Sequence, residues 1–183
     1  MKVPDFTNIE YLKLGNKRQQ DAYRELRELK IFENLRNYNP ILTGTIPIDI
    51  DIPESDLDII CECKNHTNFS IFLTELFDNK DDFSINSKKF NGIKSTIANF
   101  SGQNFRIEIF GQDIPTKKQY AYRHMLVEHH ILLKKGIDFK SDIRKLKQKG
   151  LKTEVAFAKL LGLSGNPYKE LLNKYESKKN FRI

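Results

Sequence analysis

Residues 42–60 read LTGTIPIDIDIPESDLDII, a Gly44-Thr45 pair followed by Ser55-Asp56-Leu57-Asp58, with apolar residues on either side. Asp56 and Asp58 are separated by one residue, and on a β-strand that spacing points both side chains to the same face. Two carboxylates side by side repel each other unless something positive sits between them. A divalent metal is the simplest such partner, and a pair of carboxylates plus substrate phosphates is what Mg²⁺ usually takes from a protein. A further carboxylate stands in FRIEIF at 105–110, where Glu108 lies between two isoleucines.

The alternation around these acids is that of half-buried strands. In the strand expected over 56–63, Leu57, Ile59, Cys61 and Cys63 point one way, and Asp56, Asp58, Ile60 and Glu62 the other. In the strand expected over 104–110, Phe105, Ile107 and Ile109 share one face, and Arg106, Glu108 and Phe110 the other. Each strand has an apolar face suited to packing on helices and carries its acidic motif on the opposite, more open face. The two patterns agree without either being derived from the other.

Around this pair the chain supplies further elements. A short strand over 41–43 leads into the Gly-Thr turn, and IPIDIDIP at 46–53 reads as an extended loop or short edge segment, with proline near both ends. Strands over 83–90 and 93–100 flank Asn91-Gly92, a type I′ hairpin signal. Ala22, Leu26, Leu29 and Leu35 recur at helical spacing over 16–37, where Asn39-Pro40 ends the pattern. A second helix over 65–78 is expected to bury Phe69, Ile71, Phe72 and Leu76. From Thr116 onward the chain reads as helical. One helix runs over 117–135 and stops before Gly136, and a short basic one over 141–149 closes at Gly150. A third is capped by Thr153 with Glu154 in its first turn. After the loop 162–167 comes a last helix over 167–175, and the tail KKNFRI frays. The fold class expected is α/β (α+β): a small mixed or antiparallel sheet with helices on one face, plus a C-terminal helical subdomain. The expected division is a sheet-bearing core with its N-terminal helix at 1–115 and the helical subdomain at 116–183.

A chain of 183 residues, 39% hydrophobic in patterned runs, can bury a core as one domain or one domain with an appendage. Its net charge of +7 and pI near 9.3 suit an anionic partner such as a nucleotide or nucleic acid, and suit plain solubility equally. The start MKVPDFTNIEYLKLG has no apolar core of a secretory signal, and no run approaches the ~18 apolar residues of a membrane span, so no membrane partner is expected. Cys61 and Cys63 lie two apart on one strand face, poorly placed to bridge each other and without a further Cys or His close in sequence to complete a metal pair. They read as small core residues, and a reducing, cytoplasmic compartment is the expected setting.

Gly44-Thr45, Asp56-Leu57-Asp58 and Ile107-Glu108-Ile109 together resemble the DNA polymerase beta superfamily of nucleotidyltransferases. That superfamily carries a Gly-Ser-type turn, then Asp-x-Asp, then a later acidic residue flanked by apolar ones. The whole chain also looks like the bacterial, nucleotidyltransferase-like domain-of-unknown-function family 4269. That likeness extends through QYAYRHMLVEHHIL at 119–132 and GLKTEVAFAKLLGLSGNPYKELL at 150–172. The resemblance implies metal-dependent transfer of a nucleoside monophosphate from a nucleoside triphosphate to a small-molecule or protein hydroxyl, with two Mg²⁺ ions or Mn²⁺ in their place. It implies that Asp56 and Asp58 hold both ions, and that Glu108 joins the metal at the attacking hydroxyl and helps take its proton. Gly44 would let the backbone approach the triphosphate, and Thr45 would offer a hydroxyl and an N–H to it. Ser55 would cap the strand entry or hydrogen-bond Asp56.

Many relatives place a helix directly after the Gly-Ser turn, with a basic or small residue there; this chain has Pro47, Asp49 and Asp51. Those two acids can bind metal or repel a triphosphate. No Arg or Lys lies between Gly44 and Ser55, so the phosphate charge must be met from elsewhere. Arg106 and Arg123 are the first candidates, with Lys88, Lys89 and Lys152, although Arg106 can instead pair with Glu62. Tyr120, His124 and Glu128 lie four apart on one helix face, placed to contact an acceptor. The plainer alternative is a His124–Glu128 pair on the helix surface, with His129 and His130 also at the surface. Without further ligands near Glu128 in sequence, no zinc site is expected. A rival reading makes the chain a catalytically divergent nucleotide or metal sensor, or an interaction module with a relic site. The aromatic stacking motifs of common RNA-binding modules are absent, so nucleic acid is not the expected partner.

Overall fold

The computed structural model describes residues 4–90 and 92–176. The two acid-bearing segments become neighbouring strands, β2 (Leu57–Glu62) and β5 (Arg106–Gln112). They run parallel, which requires a long crossover between them. The crossover consists of a helix, α3 (His66–Phe77), and an antiparallel hairpin, β3 (Ser84–Phe90) and β4 (Ile93–Ser101). With β1 (Ile41–Thr43) the sheet has five strands in the order β1-β2-β5-β4-β3, every pair antiparallel except β2 with β5. The fold is therefore α/β with a mixed sheet.

Before β1 comes α1 (Lys17–Glu28), opened by a capping box in which the Asn16 side chain accepts from the Gln19 N–H and the Gln19 side chain accepts from the Asn16 N–H. The helix expected over 16–37 does not run through. Lys30 takes a left-handed conformation (φ 50°) before the four-residue α2 (Ile31–Asn34) and a 3₁₀ turn at Arg36–Tyr38. The break has a packing reason: Ile31 lies about 140° around a continuous helix from Leu26, and the turn at Lys30 returns Ile31 and Leu35 to the core that holds Ala22 and Leu26.

Asn65 caps α3 by accepting from the Asn68 N–H. The helix buries Phe69, Leu73 and Phe77, with Phe72 and Leu76 packed partly against the core, while Ile71 is 54% exposed. The expectation for Ile71 is thus corrected: it sits about 200° around the helix from Phe69, on the solvent side. Residues 46–53 are wound rather than extended, closed by Asp49 N–H to Ile46 O and Ile50 N–H to Thr45 O, with Asp49 at φ 56°. Ile46, Ile48 and Ile50 are all buried, because the loop lies between two cores and feeds both.

The C-terminal part holds α4 (Tyr120–Gln148), α5 (Thr153–Leu160) and α6 (Pro167–Glu176). Gly136 interrupts α4 at φ 81°, ψ −168°, as its sequence position leads one to expect, but the second helical stretch resumes directly after it. Thr153 is the first residue of α5 and not its cap; Lys152 holds the cap position and offers no side-chain bond.

One core joins Leu57, Ile59, Cys61, Ile107 and Ile109 of the sheet to Ala22, Leu26, Phe69 and Leu73. Cys61 and Cys63 are buried and unbridged. A second core joins Ile41 and Ile60 to Met125, Ile131, Phe157 and Leu171. Ile60 and Phe110 are register partners, one strand step beyond Asp58 and Glu108 on the same face. The C-terminal helices therefore close the far end of the acid-bearing face. No helix among the described residues is long and apolar enough to cross a membrane. The turn type at Asn91-Gly92 and the fraying of KKNFRI both concern positions outside the described residues, at Asn91 and the tail respectively.

Candidate active site

Asp58 of β2 and Glu108 of β5 are direct register partners, flanked by Thr43 on one side and Asn99 on the other. Asp56 stands just before β2, and its charge acts on both acids. Burial pushes the Asp58 carboxyl up to about 7, with Glu108 and Asp56 adding to the effect and Lys147 opposing it. Burial also raises Glu108, again with help from Asp56 and against Lys88. Asp58 and Glu108 thus bring two oxygen-donor groups side by side where repulsion and the loss of water disfavour the charged forms, with Asp56 a further oxygen donor just before β2. That donor set fits a hard divalent cation.

Gly44 sits directly against Asp58. Its φ is +80°, and a Cβ built there would stand 2.2 Å from Asp58 Oδ2. The Thr45 hydroxyl donates to Ser55 Oγ at 3.3 Å, and Ser55 Oγ accepts from the Ile52 N–H at 3.0 Å. Ser55 therefore closes its own loop just before the strand and joins it to Thr45. Asp49 and Asp51 are engaged as well. Asp49 pairs with Lys140 and Arg144, and Asp51 pairs with Arg18 at 3.0 Å. Arg144 also donates to the Asp49 and Asp51 carbonyls, at 2.6 and 3.3 Å. Asp49 thus anchors α4 to the loop, and Asp51 ties the same loop to α1.

The basic candidates separate by position. Arg106 is exposed at the start of β5 and pairs in register with Ser101, whereas Glu62 is paired with Gln112 six residues along the same strand. At ~3.3 Å per residue the two cannot form the expected ion pair; Glu62 accepts from Asn39 Nδ2 instead. Lys88 is exposed on β3 and acts on Glu108, and its neighbour Lys89 and the α5-flanking Lys152 are exposed too. Arg123 lies over the Tyr120 ring at 5.3 Å. A basic group that the sequence reading does not single out is Lys147, 8% exposed, whose amine donates to Ile50 O at 2.9 Å. Burial brings its ammonium down to about 8, while Asp51, Glu128 and Asp58 draw it upward. The signal for it is local: Lys147 follows the fully buried Ile143 by four residues, on the inward stripe of the helix.

Of the expected acceptor residues, Tyr120 is 51% exposed, but His124 and Glu128 are 5% and 4% exposed. They are buried and not a surface pair. Glu154 of α5 joins them, and the ligand-type atoms of His124, Glu128 and Glu154 all lie within 4.8 Å of one another. His129 and His130 are half-buried; the His129 ring meets Phe6 edge-on at 5.1 Å.

Among solved structures, the fold is similar to that of the GLD-2/RNP-8 complex, with a TM-score of 0.55 at 10% identity, covering 90% of this chain and 66% of that one. It is similar to the Cid1 poly(U) polymerase bound to magnesium and 3′-dATP, with a TM-score of 0.52 at 14% identity, covering 90% and 52%. It is also similar to Cid1 described as an RNA terminal uridylyl transferase, with a TM-score of 0.51 at 13% identity, covering 75% and 46%. The chain spans between 46% and 66% of the length of these proteins, and at such identities the likeness establishes a nucleotidyltransferase-type fold. No curated protein matches the sequence. A family model does match, over residues 24–174, most of the chain: the protein belongs to the family described as Domain of unknown function (DUF4269).

Proposed function

We propose that the protein transfers a nucleoside monophosphate from a nucleoside triphosphate to the hydroxyl of a small molecule or a protein, with Mg²⁺, or Mn²⁺ in its place, held by Asp56, Asp58 and Glu108. The observation that carries this reading is the register pairing of Asp58 with Glu108 beneath a glycine that leaves no space for a side chain. Two ions bound there supply neutralisation of the triphosphate and activation of the attacking oxygen. Glu108 takes the acceptor proton, as a carboxylate placed at the attacking hydroxyl can. The acceptor oxygen bonds to the α-phosphorus, the bond to the bridging oxygen of the β-phosphate breaks, and pyrophosphate leaves. Gly44 admits the phosphates close to the backbone, and Thr45 offers its N–H and hydroxyl. Lys147 supplies positive charge from the helical side, a role the segment between Gly44 and Ser55 lacks. Tyr120 is the exposed member of the acceptor residues.

RNA is a second acceptor class, because Cid1, similar in fold, is an RNA terminal uridylyl transferase. The test begins with thermal denaturation in each of the four nucleoside triphosphates, with and without Mg²⁺. A Mg²⁺-dependent rise in Tm, lost in Asp58→Asn, is expected. Absence of a rise with every nucleotide at millimolar concentration overturns the reading. Pyrophosphate release on addition of RNA, against release with small-molecule or protein acceptors, then decides the acceptor class.

A further inference from the structure

We propose that His124, Glu128 and Glu154 form a second metal site, for one divalent transition-metal ion of which zinc is the type, separate from the acids of the sheet. Three facts carry it. First, the geometry is that of a ligand set. His124 and Glu128 lie one turn apart on α4 and face the same way, Glu154 comes from the first turn of α5, and their ligand-type atoms lie within 4.8 Å of one another. Second, Glu128 is only 4% exposed, yet its Oε1 has no hydrogen-bond partner among the described residues. A buried carboxylate oxygen without a partner is costly, and the few that proteins keep call for an explanation. Third, no lysine or arginine among the described residues forms an ion pair with either carboxylate. Lys147 acts on Glu128 by its charge, but its amine donates to the Ile50 carbonyl.

The chemistry of the set separates it from the cleft. Imidazole with carboxylates suits zinc and its neighbours in the first transition row, whereas Mg²⁺ prefers oxygen donors and keeps several waters. Three protein ligands leave a further position for water or for a ligand atom. Metal–carboxylate bonds at Glu128 would occupy the lone pairs that stand idle, and burial, which holds that carboxyl well above the ordinary carboxylate range, would be offset by the cation. The Tyr120 and Tyr168 rings stand beside His124, with centroids 6.3 and 6.0 Å away, so the site is walled by aromatic surface. Bound metal would tie α4 to α5.

The experiment uses the full chain carrying Asp56→Asn, Asp58→Asn and Glu108→Gln, which disables the sheet acids and keeps this site. After chelation and dialysis, Zn²⁺ is titrated calorimetrically and the Tm is followed. One ion per chain, with a raised Tm, is expected. Adding Glu154→Gln, or separately His124→Gln, is expected to weaken binding by more than about tenfold, since even residues that only orient a ligand matter that much. Zinc X-ray absorption on the parent supplies a readout that does not depend on a variant folding: nitrogen and oxygen neighbours with imidazole scattering are expected. No binding, binding unchanged in both ligand variants, or sulfur neighbours from Cys61 and Cys63 would each overturn the site. The sheet variants remove the proposed catalytic acids from the measurement, so failure of the transferase reading leaves this result standing, and the reverse.

Discussion

Gly44 and Asp58 are packed so closely that a β-carbon on the glycine would stand 2.2 Å from the aspartate Oδ2. The glycine also holds φ +80°, where L-residues are strained. Two independent constraints therefore fix one residue type at the turn that overlies the acids. Gly44→Ala should cost about 1–3 kcal/mol from backbone conformation alone, with displacement of Asp58 added. Urea unfolding measures the first effect, and the Mg²⁺-dependent nucleotide shift in Tm measures the second. A variant with unchanged midpoint and intact nucleotide response contradicts the assignment.

The second prediction concerns pH. The folded state holds the Asp58 proton to about 7, against an ordinary value of 3.8. Below the lower value both states are protonated. Between the two, the folded state binds the proton more tightly and is stabilised by it, and that contribution is lost as pH rises through about 7. Without metal, the stability of the wild type relative to Asp58→Asn should therefore fall from about pH 4 to about pH 7, at a slope no steeper than about 1.4 kcal/mol per pH unit. Mg²⁺ should flatten the fall at the upper end. Urea unfolding of both proteins in chelator and in Mg²⁺, across that range, provides the comparison; parallel curves would mean that Asp58 does not carry the effect.

Arg144 holds the loop after the Gly-Thr turn through the Asp49 carboxylate and through the carbonyls of Asp49 and Asp51. Its removal leaves Asp49 with Lys140 as its cation among the described residues. Arg144→Ala should destabilise by about 1–3 kcal/mol, within the range for charged hydrogen bonds in partly buried settings. Asp49→Asn, which keeps the backbone bonds, should cost less. The ordering of the two urea midpoints is the test, and a larger loss in Asp49→Asn would reverse the account.

On α3, Leu73→Ala should cost about 2–5 kcal/mol, because the leucine is fully buried in the first core. Ile71→Ala, at a position 54% exposed, should change stability by about 0.5 kcal/mol or less. Equal losses would place the helix in a different rotation from the one described.

Much of the sheet is legible in the sequence. Alternation along 57–62 and 106–110 is a local property with a period of two residues, so it assigns Leu57, Ile59, Ile107 and Ile109 to one face and Asp58 and Glu108 to the other. The register pairing of the acids agrees with that assignment. Helix rotation is harder to read. Phe69, Ile71, Phe72, Leu73 and Leu76 are all apolar, and a nearly continuous apolar run does not say which stripe faces inward.

What the sequence by itself determined is the pattern that makes an α/β sheet and lines its acids on one side. What only the tertiary structure decided is the company those residues keep. Arg144 reaches Asp49 across 95 residues of chain, and Lys147 reaches the Ile50 carbonyl across 97. Burial of His124 and Glu128 beside Glu154 depends on how α4 and α5 cross. Periodicity records which face of an element is apolar, because that is set by neighbours within a few residues. It carries no record of which charged group from a distant helix lies against that element, since such contacts arise only when separately formed elements pack together.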